Sequence, residues 1–129
     1  MTDVRLEPMT GNQYPPWRTA AEAHYVQSLT TSGRPAPDAA RQAAETYARL
    51  LPDGIATPGN HLWYAHDGDR RVGFLWVTVT GDTAFVHNVA VEPEVRRRGY
   101  GRAIMLAAER WCHDNALRRM SLHLSLIHI

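Results

Sequence analysis

The sequence contains no lysine and only one cysteine, Cys112, and each absence removes a class of chemistry. A single cysteine excludes an internal disulfide and a thiolate-rich zinc site, and Cys112 itself reads as a small buried apolar residue. Without lysine, the Gly-x-x-x-x-Gly-Lys-Ser/Thr phosphate loop cannot be built. Long hydrophobic runs are missing too: residues 89–91 and 103–108 are among the longest, far below the roughly 18–20 residues that span a bilayer. Residues 1–5 show no basic stretch leading into an apolar one, so no secretory signal is visible and a cytoplasmic protein is expected. Charge of one sign is also lacking. Fourteen arginines against 13 acidic residues leave a net +1, which gives no global field toward nucleic acid or anionic lipid.

The 129 residues, 44% hydrophobic and 21% charged, have ordinary globular composition and the length of a single domain, 1–129. Val4 and Leu6 alternate in a short first strand, residues 2–8, expected at a sheet edge. Thr10-Gly11-Asn12-Gln13 has capping-box spacing, and Pro15 and Pro16 suit a first helical turn, so a helix starts here. Its apolar stripe is Trp17, Ala21, His24 or Tyr25, and Leu29. Residues 30–37 read as a loop before a second helix, 38–51, with Ala39, Ala43, Tyr47 and Leu50 or Leu51 inward. Residues 61–65, 71–80 and 83–91 are strand-like runs separated by Asp67-Gly68-Asp69 and Gly81-Asp82, an antiparallel meander. A helix from Gly101 carries Ile104, Met105, Ala108, Trp111 and Cys112 inward and ends near Asn115, a residue suited to the left-handed conformation. Residues 117–126 give a last strand. The order β-α-α-β-β-β-α-β is an α+β fold: a mixed, mostly antiparallel sheet with helices on both faces.

The chemistry concentrates where the strand ending in Val89, Ala90 and Val91 passes through Glu92-Pro93-Glu94-Val95 into Arg96, Arg97, Arg98, Gly99, Tyr100, Gly101 and Arg102. Four arginines fall within seven residues. The first amides of a helix lie at the positive end of its dipole and bind anions when glycine lets them be approached. Gly99 and Gly101 give that approach, and the arginines add charge-assisted bonds to a ligand carrying several phosphates. A dinucleotide fingerprint does not fit, because position 104 is Ile and the preceding strands are hairpins. Arg96 has an alternative as a solvated charge or a partner of Glu92 or Glu94. Tyr100 covers the loop. No His, Cys, Asp or Glu spacing compels a metal site, and no metal is expected. Trp17, Tyr25, Trp63, Trp76 and Trp111 lie on apolar stripes and read as core, with Trp17 and Tyr25 also candidates for lining a substrate pocket.

Val-x-Pro-Glu-x-Arg-x-Arg-Gly-x-Gly, placed after a β-hairpin and before an amphipathic helix, resembles the GNAT superfamily of N-acetyltransferases. The resemblance covers nearly the whole chain. The stretch from Tyr47 through Leu50-Leu51-Pro52-Asp53-Gly54, then Thr57-Pro58-Gly59 and His61-Leu62-Trp63, is similar to a bacterial subgroup of that family. The resemblance implies acetyl-CoA as co-substrate, with the backbone of Val89, Ala90 and Val91 on the pantetheine arm and the amides of residues 97–102 on the pyrophosphate. Arg97 stands where the family commonly has glycine, so an ordinary backbone conformation is expected there. Beyond the last strand, Ser125 to Ile129 do not continue the family pattern. The expectation is a chain truncated at its C-terminus, lacking the last helix, the final hairpin and the family's acid tyrosine.

The implied reaction is direct transfer of acetyl to an amine, on a small molecule or a protein. A backbone N–H, assigned to Val89, polarises the thioester carbonyl. Many relatives place a carboxylate on this strand, where Asn88 and Ala90 stand here. His87 is the nearest titratable side chain, and an unperturbed pKa near 6.5 suits a proton acceptor; its alternative is a satisfied strand histidine. The catalytic candidates are therefore His87, Asn88 and Val89. A domain that binds CoA without turnover, or a fragment that self-associates as a homodimer through an exposed sheet edge, is the competing expectation. Nucleic acid and membrane are not expected partners.

Overall fold

A computed structural model describes residues 3–122 of the chain, which forms two compact units, Met1–Met9 with Pro58–Ile129, and Thr10–Thr57.

The Thr10–Thr57 unit is a pair of helices, α1 (Tyr14–Thr31) and α2 (Ala36–Leu50). The expected capping box forms reciprocally: the Gln13 N–H donates to Thr10 Oγ1 at 3.2 Å, and the Thr10 N–H to Gln13 Oε1 at 2.9 Å. Helix α2 starts two residues earlier than expected, because Pro37 is accommodated in its first turn. Trp17, Ala21, Ala39, Ala43, Tyr47 and Leu51 are buried, whereas His24 is exposed. Trp17 packs between Tyr14 and Tyr47, with ring centroids 5.8 and 6.4 Å away, and Tyr25 lies 6.3 Å from Tyr47. Burial pushes the Tyr47 hydroxyl pKa well up.

The other unit is a five-stranded sheet in the order β1 (Arg5–Pro8), β2 (Asn60–Asp67), β3 (Arg70–Thr80), β4 (Thr83–Val91) and β5 (Arg119–Leu122). β1 to β4 run antiparallel, and the two-residue turns Gly68-Asp69 and Gly81-Asp82 close the hairpins as the sequence predicts. β5 runs parallel to β4, a pairing that needs a crossover, and helix α3 (Tyr100–Asp114) supplies it. The last strand begins at Arg119 rather than 117, and its expected continuation past Leu122, with the unmatched residues 125–129, lies outside the described residues. Val72, Leu75, Val77, Val86, Val89, Val95 and Ile104 are at most 2% exposed and join α3 to one face of the sheet. Cys112 lies in this core, where burial raises its thiol pKa.

The end of α3 differs from expectation. Asn115 is not left-handed (φ −105°), and Ala116 takes that conformation instead (φ 58°). The N–H of Leu117 donates to Cys112 O at 2.9 Å and that of Ala116 to His113 O at 3.2 Å, a Schellman motif whose left-handed position falls one residue after Asn115. Asn115 instead turns its side-chain amide back to Trp111 O at 2.8 Å.

Two substitutions test this packing by thermal unfolding. A Cβ at Gly73 would meet the carbonyl oxygen of Ala90 and approach Ile104 Cδ1 to 2.9 Å, so Gly73→Ala is expected to lower stability by about 1–3 kcal/mol. Ala116→Gly removes the left-handed strain and is expected to raise stability by roughly 0.5–1 kcal/mol. An unchanged midpoint for Gly73→Ala, or a lowered one for Ala116→Gly, contradicts these assignments.

Candidate functional site

Strand β4 departs from simple alternation at one place. Trp76 of β3 pairs with Asn88, but Val77 pairs with Val86, so His87 is an extra residue, a β-bulge. Side-chain alternation resets there. Val86 and Val89, three residues apart, both enter the α3 core, and Val91 follows them. With the side chains of Val89 and Val91 buried, these residues can offer a ligand only their backbone, which is the role the family resemblance implies for them. Among the described residues, β5 accompanies β4 only over Thr83–Val86, ending just before the bulge.

His87 belongs to the opposite face. Its ring stacks on Trp76 at 4.6 Å and 24°, and meets Phe85 edge-on at 4.8 Å. Asn88 and Ala90 are half-buried neighbours on the same strand. The catalytic candidates thus divide, His87 facing away from α3 and Val89 turning its side chain toward it.

The loop after β4 is tied down at several points. The Glu92 N–H donates to Val72 O at 2.8 Å, and Val95, in a short 3-10 turn (Pro93–Val95), is fully buried. Arg96 Nε donates to Val91 O at 3.3 Å, so Arg96 is bound to backbone, while Glu92 lies 3.6 Å from Arg71. Arg97 contradicts expectation. It adopts φ 68° rather than an ordinary conformation, because the chain turns left-handed here whatever the residue, at a cost of about 1–2 kcal/mol for a side chain bearing Cβ. Gly99, at φ 83°, meets the same requirement without that cost.

Helix α3 then opens directly on the loop. Its first backbone bond runs from the Ala103 N–H to Gly99 O at 3.0 Å, so the N–H groups of Tyr100, Gly101 and Arg102 precede the intrahelical ladder. No side chain caps this end and no acid sits in its first turn. Arg96, Arg97, Arg98 and Arg102 are exposed around it. A group carrying several negative oxygens would meet the positive end of the helix dipole together with guanidinium donors.

Tyr100 does more than cover the loop. Its side chain is buried, and its hydroxyl donates to Asp67 Oδ2 at 2.6 Å, strapping the start of α3 to the β2–β3 turn. This bond also raises the hydroxyl pKa. Asp67 was not legible as a site residue, since its partner lies 33 residues away. Trp17 is core, as expected, and Trp63 packs on Trp111 at 4.9 Å with His61 beside both. Burial lowers the His61 pKa. Among the described residues, no three His, Cys, Asp or Glu side chains are grouped to hold a metal ion, and no helix is long and apolar enough to cross a membrane.

Comparison with known proteins agrees with this geometry. Residues 21–126 match the acetyltransferase (GNAT) family. The chain is 26% identical over 126 residues to YycN of Bacillus subtilis strain 168, named an uncharacterized N-acetyltransferase, spanning 93% of this chain and 81% of that protein. The crystal structure of YycN superposes with a TM-score of 0.88 at 25% identity, covering 94% of this chain and 81% of that one. The PaiA N-acetyltransferase of Thermoplasma acidophilum, solved in complex with coenzyme A, shares the fold with a TM-score of 0.66 at 15% identity, over 93% of this chain and 78% of that one. The family match spans most of the chain, and the chain belongs to the GNAT family of acetyltransferases.

Proposed function

We propose that this chain works as a single N-acetyltransferase domain that uses acetyl-CoA and transfers acetyl directly to the amine of a small molecule or a protein. The observation that carries the reading is the corner between β4 and α3, where left-handed Arg97 and Gly99 turn the chain into an uncapped helix start ringed by exposed arginines. That corner suits a pyrophosphate. The amides of residues 97–102 and the side chains of Arg98 and Arg102 hold the phosphates, with Arg96 keeping the loop against Val91. The backbone of Val89, Ala90 and Val91 takes the pantetheine arm, since the valine side chains are already committed to the core.

Acetyl-CoA supplies an activated thioester. The Val89 N–H donates to the carbonyl oxygen as negative charge grows on it. His87, beside the point where β5 leaves β4 among the described residues, accepts the proton that the attacking ammonium must lose. As the amine nitrogen bonds to the carbonyl carbon, the carbon–sulfur bond breaks, and the thiolate leaves as CoA by taking the further proton that the nitrogen loses on becoming an amide.

Thermal unfolding with and without acetyl-CoA tests the reading. At about a hundred times its dissociation constant, the ligand is expected to add about 2.7 kcal/mol. Gly99→Glu, which strains φ 83° and places a carboxylate at the helix start, is expected to abolish the shift. So is the pair Arg98→Glu with Arg102→Glu, two exposed positions that leave the backbone alone. CoA release is then followed with a polyamine, an aminoglycoside, free lysine and a peptide with a free N-terminus. A ligand shift without CoA release favours a CoA-binding domain that does not turn over; no shift in a folded chain overturns the assignment.

The left-handed loop residue gives a separate test. Arg97→Gly is expected to match or exceed the wild-type stability, while Arg97→Val, β-branched at φ 68°, is expected to be about 1–2 kcal/mol less stable than wild type. Equal stability of the two variants contradicts the loop conformation.

A further inference from the structure

We infer that Asn60 and Trp76 are positioning residues for His87, with Asn60 fixing the indole of Trp76 and the indole fixing the plane of the imidazole. The inference rests on reading His87 as the proton acceptor.

His87 is the extra residue of a bulge, so the regular one-to-one pairing with β3 does not reach it. Ring contacts bear on its side chain. The Trp76 indole lies nearly parallel to it at 4.6 Å, and Phe85 closes one edge at 70°. Trp76 is only 2% exposed, and a buried indole needs an acceptor for its N–H. Asn60 provides one, from the first position of the neighbouring strand β2: Trp76 Nε1 donates to Asn60 Oδ1 at 2.9 Å.

The Asn60 amide is itself held at three points. Thr78 Oγ1 also donates to Oδ1, at 2.8 Å, and Nδ2 donates to Pro58 O at 3.2 Å. These bonds define which end of the amide is oxygen, and so which edge of the indole it can receive. A broad, two-fold side-chain torsion is thereby restricted to one orientation. The line from Pro58 O through Asn60 and Trp76 to His87 is continuous. It runs across β2, β3 and β4 to the imidazole. A proton acceptor is useful only within hydrogen-bond reach of the proton it takes, so loss of orientation lowers the rate without lowering affinity for acetyl-CoA.

The test uses Asn60→Leu, Asn60→Asp, Trp76→Phe and His87→Ala in the full chain. The His87 ring resonances, observed by NMR on labelled protein, report orientation whatever the acceptor. They are expected to move in Asn60→Leu and to stay near wild type in Asn60→Asp, which keeps the oxygen that the indole needs. Trp76→Phe keeps a ring beneath His87 but loses the N–H, and is expected to behave like Asn60→Leu. In turnover with the amine giving the highest kcat/KM among those tried, Asn60→Leu is expected to lower kcat about tenfold to a hundredfold. The KM for acetyl-CoA should hold, and the loss should vanish in the His87→Ala background. Unmoved His87 resonances in Asn60→Leu overturn the inference. So does a loss that persists undiminished in the His87→Ala background, with His87 remaining the proton acceptor. An unchanged kcat in His87→Ala removes His87 from the chemistry, and the positioning role falls with it.

Discussion

One extra residue in β4 governs the rest of the site. Were His87 paired regularly instead of bulged, strict alternation from Val86 would bring positions 88 and 90 into the core, an asparagine and an alanine in place of two valines. The bulge moves the inward set to Val89 and Val91, which fill the space beneath α3 with Ile104 and Val95. It also shifts the register with β3 at the level where the described part of β5 stops. Packing and chemistry therefore depend on the same irregularity. The valines that stabilise the unit are also what confine the contribution of residues 89 and 91 to the main chain.

The second constraint is the left-handed turn at Arg97. A residue with Cβ is held at positive φ only where its surroundings over-determine it. Here they do so from both sides. Upstream, Glu92 is bonded to Val72, Val95 is buried, and Arg96 is tied to Val91. Downstream, Gly99 turns left-handed again and the Tyr100 hydroxyl is anchored on Asp67. With both ends fixed, the two residues between them, Arg97 and Arg98, have to span whatever geometry remains. The guanidinium at position 97 is thus obtained at some expense in backbone energy, where glycine would give the same turn without a charge.

Local rules were legible, including those that shape the loop proposed to hold the phosphates. The capping box at Thr10 and Gln13, both hairpin turns, the bounds of β4 and the arginine and glycine pattern before α3 are each set by neighbours close in sequence. What escaped was what a neighbour far away decides. Asp67 reaches Tyr100 across 33 residues, and Asn60 reaches Trp76 across 16. The bulge left a trace, since Val86 and Val89 are three apart in a strand whose period is two. The left-handed residues at Arg97 and Ala116 went the other way. Type suggested an ordinary conformation for the arginine and a left-handed one for Asn115, yet the turn geometry placed the strain at 97 and 116.

The two ends of the site therefore differ in kind. The proposed phosphate end combines main-chain amides and helix dipole with arginine side chains, so it answers to backbone conformation and to local charge. The proposed proton-accepting end is one imidazole whose aim is inferred to depend on an indole from β3 and on an amide and a carbonyl from the start of β2 and the residues before it. In the first case a substitution acts through φ and local charge. In the second it acts through the contacts between rings, where displacement of about 1 Å is enough to cost a hundredfold in rate. On the proposed roles, binding of acetyl-CoA and transfer of its acetyl group are separable: changes at Asn60 or Trp76 act on the aim of His87 and not on the corner at Gly99.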